Sequence, residues 1–422
     1  MQFKKLSKAI TWLETQTKFM KRSNLEIVTK AFLSMGLDLF SMIKIQVIGT
    51  NGKGSTANYI ASILKHDNKV GLFVSPYLVK FNERISINGQ MISDNDLLKY
   101  INFIFEFNQS AINNLNISYS FFELLTLLTL KYFNDKQCNC IIMEAGIGGV
   151  LDPTSILNYN VTVLTNIGFD HQKVLGYTKE EILHNKLGAV KEGGILITSE
   201  FDLKCNIVED ATLRNYTSSF IDQLCDVKSY FPLVIIYNSL LLESGLPGRY
   251  QIANMLLAIN TVKYLFPNLC DSIITKGVKE AKNPGRLEFI EKNIIIDGAH
   301  NISGINALID SIKDYKYDRI LFLYSGLSDK DHESMIKELL KISDNVYLTS
   351  FPDARIYNPT NLVINFELPF FLNAHEAYYT LKDTLRNNDI LVILGSIHFI
   401  GYIKSKVAKH PKRLVLKNKL LF

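Results

Sequence analysis

Cysteine is scarce in this chain: five in 422 residues, Cys138, Cys140, Cys205, Cys225 and Cys270, with no CxxC pair among them. An odd number without paired spacing excludes a disulfide framework and a four-ligand zinc site. Cys138 and Cys140 flank Asn139 just before an apolar run and read as reduced residues entering a strand, since no further metal ligands stand nearby. Proline (10) and glycine (23) are too few for a collagen-like or low-complexity chain, and 47% hydrophobic against 21% charged content excludes disorder. A dominant sign of charge is also missing. Lys and Arg number 46 against 41 Asp and Glu, a surplus of +5 spread along the chain and too weak to imply nucleic acid. The longest apolar stretches, around 121–133 and 390–403, are broken by Glu123 and Lys131 and by His398. Neither reaches the ~18 uninterrupted apolar residues of a membrane span. The N-terminal MQFKKLSKAITWLETQ lacks the continuous apolar core of a signal peptide and reads as an amphipathic helix. The expectation is a soluble, cytoplasmic monomer that binds neither nucleic acid nor membrane.

What the chain does have is alternation. Its length suggests two or three domains at about 150 residues each. Runs at 43–48, 70–74, 140–143, 161–165 and 195–198 read as strands. Helical patterns fall between them at 55–65, from the capping cluster Ser93-Asp94-Asn95-Asp96 to about 108, at 121–133 and at 179–190. Nearly continuous apolar strands separated by helices predict a parallel sheet buried on both faces. Residues 201–248 are less regular, with one apolar strand at 233–237. After the linker Lys282-Asn283-Pro284-Gly285 a second series begins, with strands at 287–296, 319–324, 345–348 and 390–394 and helices near 304–313, 333–341 and 374–387. The expected architecture is α/β: an N-terminal P-loop-type domain, 1–282, on a mostly parallel sheet, and a C-terminal Rossmann-like α/β domain, 283–422. A site in the cleft between two such domains is the expectation.

The sharpest local signal is Gly49-Thr50-Asn51-Gly52-Lys53-Gly54-Ser55, directly after a strand and before a helix. Glycines let successive N–H groups converge on phosphate oxygens, and the helix N-terminus adds positive potential. Lys53 would reach the terminal phosphates, and Ser55 or Thr56 offers a hydroxyl to Mg²⁺. The spacing departs from GxxxxGK[ST]: the first glycine lies closer and Gly54 precedes the hydroxyl. Position, lysine and hydroxyl together point to a nucleotide.

This variant loop resembles the phosphate loop of the ATP-dependent Mur-ligase superfamily, specifically its folylpolyglutamate synthase and dihydrofolate synthase branch. The resemblance recurs in order from about residue 45 to about 400. Ser75-Pro76-Tyr77-Leu78 with Asn82-Glu83-Arg84-Ile85 is similar to the family's SPHL…ERI loop, and Ser120-Phe121-Phe122-Glu123 to its helix start at the pterin pocket. Glu144-Ala145-Gly146-Ile147-Gly148-Gly149 with Asp152 resembles E-x-G-x-G-G-R-x-D, Asp170-His171 an Asp-His pair, and Lys186 the lysine of an EKAGI-like segment. Asn254, Pro284-Gly285-Arg286, Asp297-Gly298-Ala299-His300-Asn301, Asp329-Lys330-Asp331 and Gly395-Ser396 continue the series.

The resemblance implies a ligase that phosphorylates a carboxylate with ATP and lets the amine of L-glutamate attack the acyl phosphate, with dihydropteroate or reduced folates as acceptors. Such chemistry needs positive charge and positioning more than a protein nucleophile. It implies ATP contacts from Thr50, Asn51, Gly52, Lys53, Gly54 and Ser55, with Asn254 on the adenine side. Arg286 is then a phosphate clamp effective on domain closure, Asp297 a ribose-binding acid and His300 a sugar–phosphate neighbour. One Mg²⁺ falls to Ser75 and Glu144, a second to His171, and Lys186 is implied to be carbamylated so that its added carboxylate orients the second metal. Lys53, Glu144, His171 and Lys186 form the catalytic set. Ser120, Phe121, Phe122, Glu123, Leu151, Asp152 and Pro153 fall at the pterin, Asp152 as its anchor; the Phe pair reads equally as helix core.

This sequence departs from the family in four places. Val150 stands where Arg or Lys is usual, Ser155 replaces an Asn, Tyr77 replaces a His, and Lys21-Arg22-Ser23-Asn24-Leu25-Glu26-Ile27 poorly matches a glycine-and-arginine segment. Two rivals follow: another Mur-type ligase, and an ATP-binding regulatory protein that has lost ligase activity.

Overall fold

Five short strands with mostly apolar side chains can be satisfied only by burial on both faces, and the N-terminal unit does this with a central parallel sheet. The computed structural model describes residues 2–16, 25–200, 212–215 and 225–407. Ile43–Ile48 lies between Cys140–Glu144 and Val161–Leu164, parallel to both. Val70–Phe73 extends the sheet beyond Cys140–Glu144, and Ile195–Thr198 and Thr212–Asn215 extend it on the other side, all parallel. A hairpin of Ile85–Ile87 and Gln90–Met91 adds two antiparallel strands at the edge, giving eight. The Asn88-Gly89 turn, with both residues at positive φ, makes that hairpin.

One face of this sheet is covered by Phe121–Asp135 and Asp94–Leu115. The first is buried nearly all round, so its apolar length reads as an interior helix and not a membrane span; Leu125, Leu127 and Leu128 have no exposed surface. Each such side chain contributes about 1.5–3 kcal/mol. Ser93 caps Asp94–Leu115 by accepting from the Asp96 N–H at 3.0 Å. The helix continues past the expected end near 108 because its buried stripe persists to Ala111, and it stops where Asn116 turns left-handed at φ 53°. Leu6–Thr15, the expected amphipathic helix, buries Ala9 and Leu13.

The chain divides into two compact units, 1–224 with 253–281, and 225–252 with 282–422. The second unit thus reaches back before residue 283, taking in a segment that the sequence placed in the first domain. That segment carries three antiparallel strands, Asp226–Tyr230, Leu233–Tyr237 and Leu240–Glu243, where one was expected. Their short alternating patterns were hidden by turns, Asn238 and Ser239 both adopting positive φ. The main sheet of this unit has six strands in the order Glu288–Glu291, Ile294–Ile296, Ile390–Leu394, Ile320–Tyr324, Val346–Thr349 and Phe370–Phe371. The expected single strand at 287–296 is a hairpin, because Lys292 and Asn293 break the apolar run; only its second arm joins the parallel ladder.

Cys138, Cys140 and Cys225 are buried free thiols and Cys270 an exposed one. Cys205 and residues 21–24 lie outside the described residues. Among the described residues no helix is long and apolar enough to cross a membrane.

Candidate functional site

Four neighbouring parallel strands of the N-terminal unit end on the same side, and the loops leaving their carboxyl ends hold most of the residues singled out above. Such ends collect ligands in open α/β sheets. Residues 49–55 follow Ile43–Ile48, and Ser75 lies just beyond Val70–Phe73. Glu144 closes Cys140–Glu144, and His171 lies past Val161–Leu164.

The loop at 49–55 is fixed by its neighbour strand. Thr50 N–H donates to Asn166 O and Asn51 N–H to Asn166 Oδ1, both at 2.9 Å. Thr165 Oγ1 donates to Asn51 O at 2.6 Å. Gly49 has φ +143°, and a Cβ there would stand 1.9 Å from Thr165 Oγ1, so only glycine passes. Gly52, at φ +83°, lies under the Asn254 side chain, whose Oδ1 would be 2.3 Å from a Cβ. Asn254 also accepts from Thr56 Oγ1 at 3.4 Å, so it packs on the loop instead of facing solvent. Thr165 and Asn166 carry no motif of their own: their side chains hold the loop's backbone, and a Thr-Asn pair at a strand end is too common to signal that role.

Two lysines converge on one carbonyl. Lys53 Nζ donates to Gly49 O and Thr50 O, each at 3.1 Å, and Lys186 Nζ donates to Gly49 O at 2.8 Å. Lys186 projects from Lys179–Leu187 and is 2% exposed. Burial, reinforced by the neighbouring positive charge of Lys53, pushes its amine down to about 7, against the pull of Asp170 and Asp152. Val150 packs on Gly188, at the end of the same helix.

Glu144 is 5% exposed and accepts the Ser75 N–H at 2.9 Å, which sets a hydroxyl-bearing residue against a carboxylate. These are hard oxygen donors of the kind Mg²⁺ takes when it keeps several waters. His171 is held in a left-handed turn at φ 49°, its N–H donating to Asp170 Oδ1 at 2.8 Å. Among the described residues no three His, Cys, Asp or Glu side chains cluster as a metal group.

The expected pterin set is only partly placed for contact with a ligand. Asp152 is 3% exposed, and its carboxylate is consumed locally. Oδ2 accepts from Gly146 N–H at 2.8 Å and Ile147 N–H at 3.0 Å, and Oδ1 from Thr154 N–H at 3.0 Å and Thr154 Oγ1 at 2.6 Å. With four acceptor positions taken, it holds the glycine loop in place. Burial raises its pKa against those hydrogen bonds. Ser120 and Glu123 likewise form the capping box of their helix, Glu123 Oε2 accepting from Ser120 N–H at 2.6 Å. Pro153 begins a buried 3₁₀ turn, and Leu151 is 38% exposed. Phe122 packs on Phe73 and Gly146, and Phe121 on Phe81, both rings half-buried.

In the C-terminal unit Asp297 is 3% exposed. Its Oδ2 accepts from Leu287 N–H at 2.8 Å and the Tyr250 hydroxyl at 2.9 Å, and its Oδ1 from Ala299 N–H at 2.8 Å. Burial raises its pKa while Arg286 lowers it. Arg286 lies against Gly298, and His300 Nδ1 is 2.7 Å from Gly298 O, so the three expected residues share one turn. Tyr250 was not foreseen. Asp331 caps His332–Leu340 by accepting from Ser334 N–H.

The Mur ligase middle domain matches residues 47–262, about half of the chain, and the Mur ligase, glutamate ligase domain matches 285–397. The chain belongs to the Mur ligase family, in its folylpolyglutamate synthase/dihydrofolate synthase branch. It is 28% identical to a dihydrofolate synthase/folylpolyglutamate synthase of Bacillus subtilis, across 94% of this chain and 98% of that protein. It is 34% identical to a folylpolyglutamate synthase of Lacticaseibacillus casei, across 73% and 76%. E. coli FolC in complex with ADP shares the fold, with a TM-score of 0.84 at 24% identity over 96% of this chain and 98% of that one.

Proposed function

We propose that this chain is an ATP-dependent amide ligase that adds L-glutamate to 7,8-dihydropteroate, to reduced folate polyglutamates, or to both. The observation that carries this reading is the convergence of Lys53 and Lys186 on the Gly49 carbonyl, within a glycine loop at the end of a central parallel strand. A carbonyl is a modest partner for an ammonium, so an incoming triphosphate competes well for Lys53. The γ-phosphoryl group passes from ATP to a carboxylate oxygen of the acceptor, ADP leaves, and the glutamate amine displaces phosphate from the acyl phosphate. Both acids and the amine need positioning, and no side-chain nucleophile is required.

Ser75 and Glu144 would hold a divalent cation, which when bound neutralises charge on the transferred phosphoryl oxygens. His171 would serve a second ion. The depressed amine of Lys186 suits carbamylation, because only the neutral amine attacks carbon dioxide, and the resulting anion beside Lys53 replaces a repulsion by an attraction. We assign Asn254 to the nucleotide and, in the C-terminal unit, Arg286 and His300; Asp297, expected at the ribose, is spent on holding their turn.

The test is ADP release by purified protein with ATP and dihydropteroate or tetrahydrofolate, with and without glutamate, followed by product mass. Glutamate-dependent release supports the reading. Tight ATP binding without release would favour the regulatory protein, for which Val150 in place of a usual cation is the supporting observation.

A further inference from the structure

Arg84 is a buried cation whose donors are unspent. It ends the 3₁₀ turn Phe81–Arg84 and leads into Ile85–Ile87, which pairs with Val70–Phe73. Its carbonyl accepts the Val74 N–H at 2.9 Å, one residue before Ser75. The side chain is 8% exposed, yet among the described residues it makes no hydrogen bond or ion pair, and its buried Nε has no partner. Its surroundings are aromatic: the guanidinium carbon lies 5.0 Å from the Tyr77 ring centre, 5.4 Å from Phe81 and 5.5 Å from Phe121.

The carboxylates whose charge reaches Arg84 are Glu14, Glu144 and Glu83, and none of them forms an ion pair with it. Glu83 is occupied by the N–H groups of Leu78, Val79 and Lys80. Glu14 accepts the Tyr77 hydroxyl at 3.1 Å, fixing that ring under the cation, and Glu144 takes the Ser75 N–H. Rings satisfy the faces of a guanidinium but not its in-plane N–H groups. A buried arginine left this way costs stability and invites a planar acceptor.

Resting on the ligase reading, we propose that Arg84 binds the acceptor's carboxylate, its fork of N–H donors meeting both oxygens while the Tyr77, Phe81 and Phe121 rings hold the cation in place. This gives the motif residue a role that its sequence context left open, and makes recognition of the acid, as distinct from the flat ring, the work of one side chain.

The experiment compares equilibrium binding of dihydropteroate and of its carboxamide analogue to wild type, Arg84→Gln and Arg84→Lys. Wild type is expected to prefer the acid by at least about tenfold, the size expected of a charged hydrogen bond. Arg84→Gln removes the preference, and Arg84→Lys keeps part of it because a point charge cannot form the fork. ATP affinity stays unchanged in both, and the melting temperature of unliganded Arg84→Gln stays level or rises. A folded variant that keeps the full preference overturns the proposal. So does a loss of folding in both variants, which would make the stack structural, or a shift in ATP affinity alone. Because the readout is binding, failure of wild type to release ADP would sink the ligase reading separately.

Discussion

In the N-terminal unit the loop after Ile43–Ile48 is propped open by two positive-φ glycines, and its lysines rest on a backbone carbonyl that a phosphate can outbid. In the C-terminal unit the turn after Ile294–Ile296 is drawn shut by Asp297, which takes two N–H groups and a hydroxyl. Both lie at the carboxyl end of a parallel strand. One region leaves its charges in arrangements that a ligand can improve, while the other spends its charge on its own backbone. A charged residue at a strand end is therefore a site only when its hydrogen-bonding capacity is still on offer, and Asp152 falls on the Asp297 side of that division despite lying in the N-terminal unit.

The largest test of this contrast is Lys53→Ala. Turnover should fall by about 10²–10³-fold or more, the scale of losing one preorganised charge contact in such a site. Thermal stability should stay near wild type, since Lys53 is half-buried and its ammonium donates to the carbonyls of Gly49 and Thr50. Glu144→Ala should behave alike in steady-state assays of ADP release. The opposite pattern is expected of Asp152→Ala and Asp297→Ala, which strand buried donors and should each lower unfolding free energy by about 2–4 kcal/mol in urea titrations. A stable, inactive Asp152→Ala would return that residue to the substrate site.

Glycine substitutions sharpen the comparison at smaller scale. Gly49→Ala meets the Thr165 hydroxyl at a strained φ and should cost about 1–3 kcal/mol together with ATP affinity. Gly298→Ala, at an unstrained φ, meets the far end of Arg286, which can swing aside, and Ile397 Cγ1 at 2.9 Å, and should cost about 1 kcal/mol, less than Gly49→Ala. Equal melting temperatures for the two would erase the distinction.

A pH slope supplies the last test. Burial holds the Lys186 amine near 7 instead of 10.5. Between those values the unfolded chain binds a proton that the folded chain lacks, so stability rises with pH across that window. The cost of charging the buried amine is fully present below about 7. Relative to Lys186→Met, wild type should gain up to about 1.4 kcal/mol per pH unit there, read from denaturation at a series of pH values. Parallel curves for the two proteins would contradict the buried amine.

Much of the fold was legible because the parallel strands are short apolar runs and the helices carry local caps; Ser93 and the strand at 390–394 needed no tertiary information. The hairpin at 288–296 and the three strands at 226–243 were not, since an antiparallel turn hides in an apolar run until the chain pairs with itself. At the site, residues 49–55 could be read from order alone. Ser120 and Glu123 could not be separated from ligand contacts, because a capping box and a binding motif use the same residue types.

The amino-acid order by itself determined the alternating α/β plan and the phosphate loop, because glycine at a strand end and lysine at a helix start act over a few consecutive residues. Only the tertiary structure decided which charges are spent. Lys186 lies 137 positions from the carbonyl it meets, and Arg84 owes its unspent donors to rings and carboxylates from separate elements. Desolvation and hydrogen-bond saturation belong to the assembled surroundings of a group, so they come into being only when the chain folds.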